Sequence, residues 1–509
     1  MLKPVKLFGE QKRVLFLPHK SPIQIKGVAG SGKTTVALYR AKHLLDTHSD
    51  LFTEPRVAIF TFNKTLVQYI EALKSSVGGG IQEDSDEINP VSPAGIDVTV
   101  TNFHKWAWHY LNRYGVWQSW SVAGRAEQED GLTSSIATVR QAYGSERILT
   151  KYDQFYKEEF SWIKGQMFQE KDQYMKAART GRGTQDRVTS DDKELLWECF
   201  SAYRNMMREK NLVDFDDFAL FVHERIERDS SFEPPYSHLV VDEAQDLSKA
   251  QMMVLRKLVD PSTDSITVIA DAAQRIYKSG FTWSEVGINV RGGRTIEFKK
   301  NYRNTKAIAL AAGSLLDHEE DKTEFTQIEP ARKGGHKPVI GYFDSWGEQI
   351  NYVADLIDDA WIDESDTVLL HRTNRGVDAI DDALGSRGFP VVKVRGRRDP
   401  FDQRALKVCT LSSVKGLEFD NVIILDLNED EIPYPPGFND EDDAYHISTE
   451  RRLLYTAMTR AREKLYLLSS GQPTRYLAEI HSELVDTVHG FSNSTAPLPA
   501  YAPDDDLPF

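Results

Sequence analysis

Residues 23–35 read IQIKGVAGSGKTT. A short β-branched run, Ile23–Lys26, meets a glycine-rich loop, and the loop opens into a helical pattern that continues to about Leu45. Strand, glycine loop and helix in that order form the context a phosphate-binding loop needs, because the loop amides and the helix N-terminus then point at one anion. Along Gly27, Val28, Ala29, Gly30, Ser31, Gly32, Lys33, Thr34 and Thr35, the glycines let main-chain amides approach phosphate. Lys33 is the residue to reach the β- and γ-phosphates, and the Thr34 hydroxyl the one to meet Mg²⁺. A glycine-rich turn with no ligand is the competing reading, and the flanking strand and helix weigh against it. The loop alone does not separate a kinase from a motor.

Outward from this loop, short apolar strands alternate with helical stretches. Val57–Phe60, Val98–Thr101, Leu239–Asp242 and Ile266–Ala270 follow Ile23–Lys26 as strand candidates. A second series comprises Thr295–Phe298, Val368–His371, Leu406–Leu411, Val422–Leu427 and Leu465–Ser469. Nearly continuous apolar strands between helices imply parallel sheets covered on both faces, and two series imply two α/β lobes. Residues 105–211 carry a helical pattern with few strand signals and read as an all-helical insertion in the first lobe. The division expected is a first lobe of 1–104 and 212–290, the insertion 105–211, a second lobe of 291–490, and an acidic, Pro-rich tail 491–509 that is disordered in isolation.

The chain has 509 residues, 40% of them hydrophobic, with a net charge of −15. That length predicts roughly three domains with real cores. The acidic balance argues against a general nucleic-acid binder, since bulk affinity for nucleic acid comes from phosphate neutralisation, but it leaves room for a local groove that holds one strand. Cys199 and Cys409 are the only cysteines, too few for a disulfide framework or zinc site, and read as buried thiols in a reducing cytoplasm. No secretory signal and no membrane-spanning run is expected.

VDEAQD, 241–246, ends an apolar strand. Asp242 is positioned to hold magnesium together with Thr34, and Glu243 to orient the attacking water as general base. An acidic turn that merely caps the next helix is the plainer reading, disfavoured by the phosphate loop upstream. Phosphoryl transfer also needs positive charge on the developing γ-phosphate. Arg303 in NYRN (301–304) and Arg460 in YTAMTRAR (455–462) are the candidates, each also readable as a surface ion-pair partner.

With QRIY at 274–277 and VKGLEFD at 414–420, six motifs stand in a fixed order. From about Phe8 to Leu477 the chain resembles superfamily 1 DNA helicases of the UvrD/Rep/PcrA type. FGEQ (8–11), IFTFNKTL (59–66), VTNFHKWA (100–107) and LVDFDDFAL (212–220) extend the likeness. The resemblance implies two RecA-like parallel-sheet motor lobes, ATP as the nucleotide and 3′ to 5′ movement on single-stranded DNA. It implies that Gln11 reads adenine, Tyr302 stacks on it, Gln274 senses the γ-phosphate, Glu418 contacts nucleotide across the cleft, and Arg303 and Arg460 act as arginine fingers. It also implies strand contacts at Asn63, Lys64, Phe103, His104 and Tyr277. Where the family carries a second stacking tryptophan this chain has Ser279; Phe281 or Trp283 is the substitute, and core packing is an equal reading of Trp283.

Two glycine-centred basic clusters, Lys176, Arg179, Arg182 and Arg187, and Lys393, Arg395, Arg397 and Arg398, read either as phosphate contacts or as solvated faces. Between HRTN (371–374) and Leu411 there is room for only a helix and a strand, so the large duplex-engaging insertion of the bigger helicases is missing or reduced to VRGRRD. Ser412 replaces a usual histidine, and Arg275 a small residue. DDDLPF, 504–509, resembles the terminal docking peptide of bacterial single-stranded-DNA-binding proteins and points to a protein partner. Two functions follow: a DNA helicase or single-strand translocase, or a helicase-like ATPase switch subunit working beside a nuclease, as in two-gene anti-phage systems such as Gabija.

Overall fold

The computed structural model describes residues 7, 9–48, 55–62, 67, 70, 98–177, 188–271, 281–319, 328–394, 403–434 and 440–490. Phe8, Asn63, Lys64, Gln274, Arg275, Tyr277, Ser279, Arg179, Arg182, Arg187, Arg395, Arg397, Arg398 and the tail lie outside the described residues.

Six strands form the first sheet: β1 (Ile23–Gly27), β2 (Val57–Thr61), β3 (Thr99–Asn102), β4 (His238–Val241), β5 (Ser265–Ala270) and β6 (Thr295–Phe298). Their order is β3-β2-β4-β5-β1-β6, with every pairing parallel. The sheet is covered on both faces, and β2 shows how: Ala58 and Phe60 enter one core, Val57 and Ile59 the other. The helix Lys33–His48 follows β1 directly.

A second sheet of seven strands comprises β7 (Val339–Tyr342), β8 (Thr367–His371), β9 (Val391–Lys393), β10 (Leu406–Thr410), β11 (Phe419–Ile424), β12 (Ala461–Ser469) and β13 (Asp486–His489). Its order is β9-β10-β8-β11-β12-β7-β13, again all parallel. The two sheets are RecA-like lobes. Ala29, in the glycine loop of the first lobe, packs within the core of the second, so the lobes meet at that loop.

Helices Arg125–Tyr143, Asp153–Gly165 and Ser190–Glu209 carry their own core of Leu132, Ile136, Phe160, Trp162, Trp197 and Phe200, and the expected all-helical character of the insertion is corrected by a short strand, Ser121–Val122, paired in parallel with Leu212–Val213. The last of these helices starts with a capping box in which Thr189 accepts from Asp192 N and the Asp192 carboxylate accepts from Thr189 N.

Two further expectations are corrected. Thr295–Phe298 does not open the second series; it is the edge strand of the first sheet, with Gln24 paired to Thr295 and Gly27 to Phe298. An isolated apolar run carries no information about which sheet receives it. The helix Phe103–Arg113, split by the expected boundary at 104/105, is one element, and Phe103, Ala107, Tyr110 and Leu111 all belong to the first-lobe core. Between His371 and Leu406 the described residues form one helix, Asn374–Gly385, and the strand β9.

Candidate active site

The loop after β1 is held tightly from three sides. Gly30 and Gly32 have φ of +72° and +79°, the left-handed region that favours glycine. A Cβ on Gly30 would meet Asn301 Oδ1 at 2.3 Å, and one on Gly32 would meet Gln11 Nε2 at 2.4 Å. The Gln11 amide donates to Ser31 O at 2.7 Å, and Tyr302 N donates to Gly30 O at 2.9 Å. Gln11 and Tyr302 therefore flank the loop directly.

The Lys33 ammonium donates to the carbonyls of Gly27 (2.9 Å) and Val28 (2.8 Å) and to the Asp271 carboxylate (3.0 Å). Asp271, one residue past β5, carries no sequence signal of its own. Thr34 Oγ1 donates to Asp242 Oδ2 at 2.9 Å. Asp242 is fully buried; burial first, then the neighbouring Glu243 charge, pushes its carboxyl up to about 7.

Glu243 sits at φ +53° directly after the Asp242 strand end, a conformation that costs a non-glycine residue about 1–3 kcal/mol. Burial pushes its carboxyl up, but the cations of Lys415, Lys33 and Arg460 more than reverse this and hold it below the usual carboxylate range. Gln245 Nε2 donates to Glu243 Oε2, and Gln245 Oε1 accepts from Asp271 N at 3.1 Å. One side-chain amide thus ties the candidate base to the backbone of Asp271, the residue whose carboxylate holds Lys33.

Lys415 comes from the second lobe, just before β11, and is 1% exposed. Its ammonium donates to Asp246 and lies 3.7 Å from Glu243 Oε2. Removing one member of a buried pair costs about 3–5 kcal/mol, so Lys415→Met should lower the unfolding temperature clearly. The same change should raise the Glu243 pKa. Stabilisation from a lowered carboxyl is present above its unfolded value and lost as pH falls through the folded one. The acid limb of the nucleotide-hydrolysis profile of Lys415→Met should therefore sit at higher pH than wild type. An unmoved limb would show that Lys415 does not govern Glu243.

NYRN bridges the lobes. Asn301 Oδ1 accepts from the backbone amides of Arg303 and Asn304, both 3.0 Å, while Asn304 Nδ2 donates to Thr459 O at 3.1 Å and to Ala461 O. Arg303 donates to Glu418 Oε1 and to Thr459 O (3.3 Å). Glu418 is held low by Arg303, then Arg462 and Arg460, against its burial. The Arg460 Nε donates to Thr456 O at 2.9 Å. Burial, then the nearby Arg303 charge, lowers the Arg460 guanidinium to about 10, while Glu243, Glu418 and Asp271 favour its charged form. Arg332 donates to both Arg303 O (2.8 Å) and Arg462 O (2.9 Å) and so fixes the two arginine segments against each other.

These residues fit a nucleoside triphosphate with a divalent cation. Among the described residues, Ser31 Oγ, Arg303 Nε and the Tyr455 hydroxyl are buried at this seam without a hydrogen-bond partner. The Thr34 hydroxyl and Asp242 carboxylate form an adjacent oxygen pair of the kind magnesium takes.

Next to this seam a cleft of about 670 Å³ runs between the first lobe, the insertion and the second lobe. Phe62, His104, Phe215 and Ser248 line it from one side, and Arg372, Ser412 and Tyr434 from the other. The Asp214 carboxylate accepts from the backbone amides of Asp216 (3.1 Å) and Asp217 (3.3 Å). Lys164 binds both Asp214 and Asp217. This turn pushes Phe215 outward, 54% exposed. Tyr434, 43% exposed, has the Arg372 guanidinium 5.2 Å over its ring, and Arg372 is held by Glu450 at 2.7 and 2.8 Å. His104 lies edge-on to Phe215 at 5.4 Å, and burial lowers its imidazole to about 4, so it is neutral at physiological pH.

Phe103 is corrected here: it is 1% exposed and packs in the core, because the helix Phe103–Arg113 turns that position inward and leaves His104 at the cleft. Trp283 is half-buried, edge-on to Phe281 at 5.6 Å, and both pack on the first-lobe core. Of the basic clusters, Lys393 is paired with Asp378 and Asp381, and Lys176 with Asp172. Phe215, Tyr434, Lys415, Asp271 and Gln245 carry no role in the sequence reading, although Phe215, Gln245 and Lys415 stand inside quoted motifs.

Fold and site together define a P-loop protein whose nucleotide pocket lies at the seam of two RecA-like lobes. The UvrD/REP helicase N-terminal domain matches residues 8–286, and the UvrD-like helicase C-terminal domain matches 296–404 and 397–472. The chain belongs to the UvrD-like helicase family. It is 23% identical over 416 residues to YjcD of Bacillus subtilis, covering 76% of this chain and 49% of that protein. It is 24% identical over 405 residues to the ATP-dependent DNA helicase PcrA of Leuconostoc citreum, covering 74% and 48%. To PcrA of Staphylococcus epidermidis it is 22% identical over 410 residues, covering 76% and 51%. The chain thus spans about half the length of these relatives.

Proposed function

We propose that this protein is an ATP-dependent DNA helicase or single-strand translocase that moves 3′ to 5′. The observation that carries the reading is the convergence of Lys33 and Glu243 from the first lobe with Arg460 and Lys415 from the second at one buried seam. A site whose charges come from two lobes is assembled only when they close, which couples the chemistry to a change of shape. In this reading the first lobe comprises residues 1–113 and 212–298, the insertion 114–211 and the second lobe 299–490.

ATP is the substrate, bound with its phosphates on the loop amides of residues 28–34. Mg²⁺, when bound by Thr34 and Asp242, neutralises charge on the phosphate oxygens. Lys33 exchanges its present acceptors for the phosphates. Glu243, kept ionised by Lys415, accepts a proton from the attacking water. Arg303 and Arg460 balance the negative charge that develops on the transferred group, Gln274 senses that group, and Glu418 orients Arg303. In the neighbouring cleft Phe215, Tyr434 and His104 offer ring faces to the bases of one strand, a sequence-tolerant grip.

The compact second lobe, with one helix and one short strand described between His371 and Leu406, favours a second reading: an ATPase switch subunit with weak unwinding. In that reading the DDDLPF segment serves a protein partner and a nuclease acts alongside. Paired measurements on the full chain decide. Oligodeoxynucleotides should stimulate ATP hydrolysis, and a duplex with a 3′ single-stranded overhang should be displaced, one with a 5′ overhang not. Stimulation without displacement removes the helicase and leaves the translocase or the switch, and no stimulation at all removes every one of these readings.

A further inference from the structure

The helix Phe103–Arg113, FHKWAWHYLNR, contains Lys105, His109 and Arg113 and no carboxylate, in a chain whose net charge is −15. One face, with Phe103, Ala107, Tyr110 and Leu111, is buried in the first lobe. Lys105, Trp108, His109 and Asn112, at spacings i, i+3, i+4 and i+7, form the opposite, exposed face. Trp108 is 41% exposed. Core packing accounts for the first face and not for an indole left partly exposed on the second.

That indole is also held ready. Trp117 lies 6.4 Å away at an interplanar angle of 18°, a stacked pair, and its Nε1 donates to Trp108 O at 3.1 Å. The His109 ring stands edge-on to Trp108 at 5.1 Å. Aromatic contacts continue from here into the cleft: Trp117 to Phe218 at 5.2 Å, Phe218 to Phe215 at 5.4 Å, and Phe215 to His104 at 5.4 Å. The helix begins at the cleft wall, beside His104, and its exposed face runs outward from there, reaching Trp108 after about 6 Å and Asn112 after about 12 Å.

The geometry points to an outer strand site: single-stranded nucleic acid leaving the cleft at His104 continues along this helix, stacks one base on Trp108, and sets its phosphates against Lys105, His109 and Arg113. The inference rests on the reading of the cleft as the strand path. Three features select a nucleic-acid strand over a protein partner. The surface is positive within an acidic molecule, its aromatic group is a rigid platform, and it is continuous with the ring-lined cleft.

The test uses the full chain and a series of labelled oligodeoxythymidylates lengthened one nucleotide at a time, with oligouridylates of the same lengths as the second arm. Affinity should rise to a plateau as the cleft fills and then rise again by about tenfold when the strand reaches Trp108. Trp108→Ala should delete the second rise, while affinity for the shortest binding oligomers and ATP turnover at saturating strand stay as in wild type. Trp108→Phe should restore part of the rise. Lys105→Gln should lower the salt slope by about one only for oligomers long enough to show it. A single plateau in wild type, or a second rise that survives Trp108→Ala, overturns the outer site while leaving the cleft in place. Failure of every oligomer to bind removes the cleft reading itself. Equal second rises for both sugars assign the site to either nucleic acid, and a rise in one arm alone assigns it to that one.

Discussion

Arg460→Ala is expected to reduce the rate of ATP turnover by about 10³–10⁵-fold while nucleotide affinity changes little. The guanidinium is 1% exposed and anchored through Nε to Thr456 O. Lowered to about 10, it remains charged at neutral pH. A cation already desolvated and oriented needs no rearrangement when charge develops on the substrate, which is where electrostatic stabilisation is largest. Arg460→Lys keeps the charge but not the planar fork, so it should recover only a small part of the rate. Steady-state hydrolysis with saturating single-stranded DNA, read beside binding of a fluorescent ATP analogue, separates the two effects. Loss of less than about tenfold in turnover would reassign Arg460 to holding the end of its own helix. Circular dichroism of both variants guards against a folding defect.

Glu243→Gln should bind ATP and fail to hydrolyse it, with turnover down about 10²–10⁴-fold. The substitution preserves shape and leaves Gln245 an acceptor, so the loop at φ +53° has no steric reason to move. What is lost is the negative charge that Lys415, Lys33 and Arg460 stabilise. With hydrolysis blocked, the lobes should stay closed on ATP, and the variant should hold single-stranded DNA more persistently with ATP than without. Near-normal hydrolysis by Glu243→Gln would overturn the assignment of the base. The ammonium of Lys415 would then be neutralising Asp246 alone.

Much of the nucleotide site was readable in the chain because its parts are local. The loop is one strand end, one glycine run and one helix start, and each of those signals lies within a few residues of the next. VDEAQD is legible for the same reason: an apolar strand that ends in acids delivers them to the C-terminal end of a parallel sheet. Strand positions were recovered where both faces are buried, as in β2 and β5. The strands of the two large sheets that were missed are β7, β9 and β13, short runs in which glycine, lysine or exposed polar residues interrupt the apolar signal. Thr295–Phe298 was found as a strand and assigned to the wrong sheet, since pairing partners are not written in a strand's own residues.

Apart from Thr34 and Asp242, the charge partners of the motifs were not readable in the sequence. Lys33 meets Asp271 across 238 positions, Lys415 meets Asp246 across 169, and Arg303 meets Glu418 across 115. Phe215 and Tyr434 face one cleft because a turn tied to Lys164 and a segment beside Arg372 come together at the lobe boundary. Backbone conformation and apolar periodicity act over a handful of residues, so a linear string carries them: loop, acids, fingers and lobes. Which charge neutralises which, and which rings share a groove, follows from how two packed sheets and a helical insertion dock, and docking is settled by shape and burial summed over hundreds of side chains.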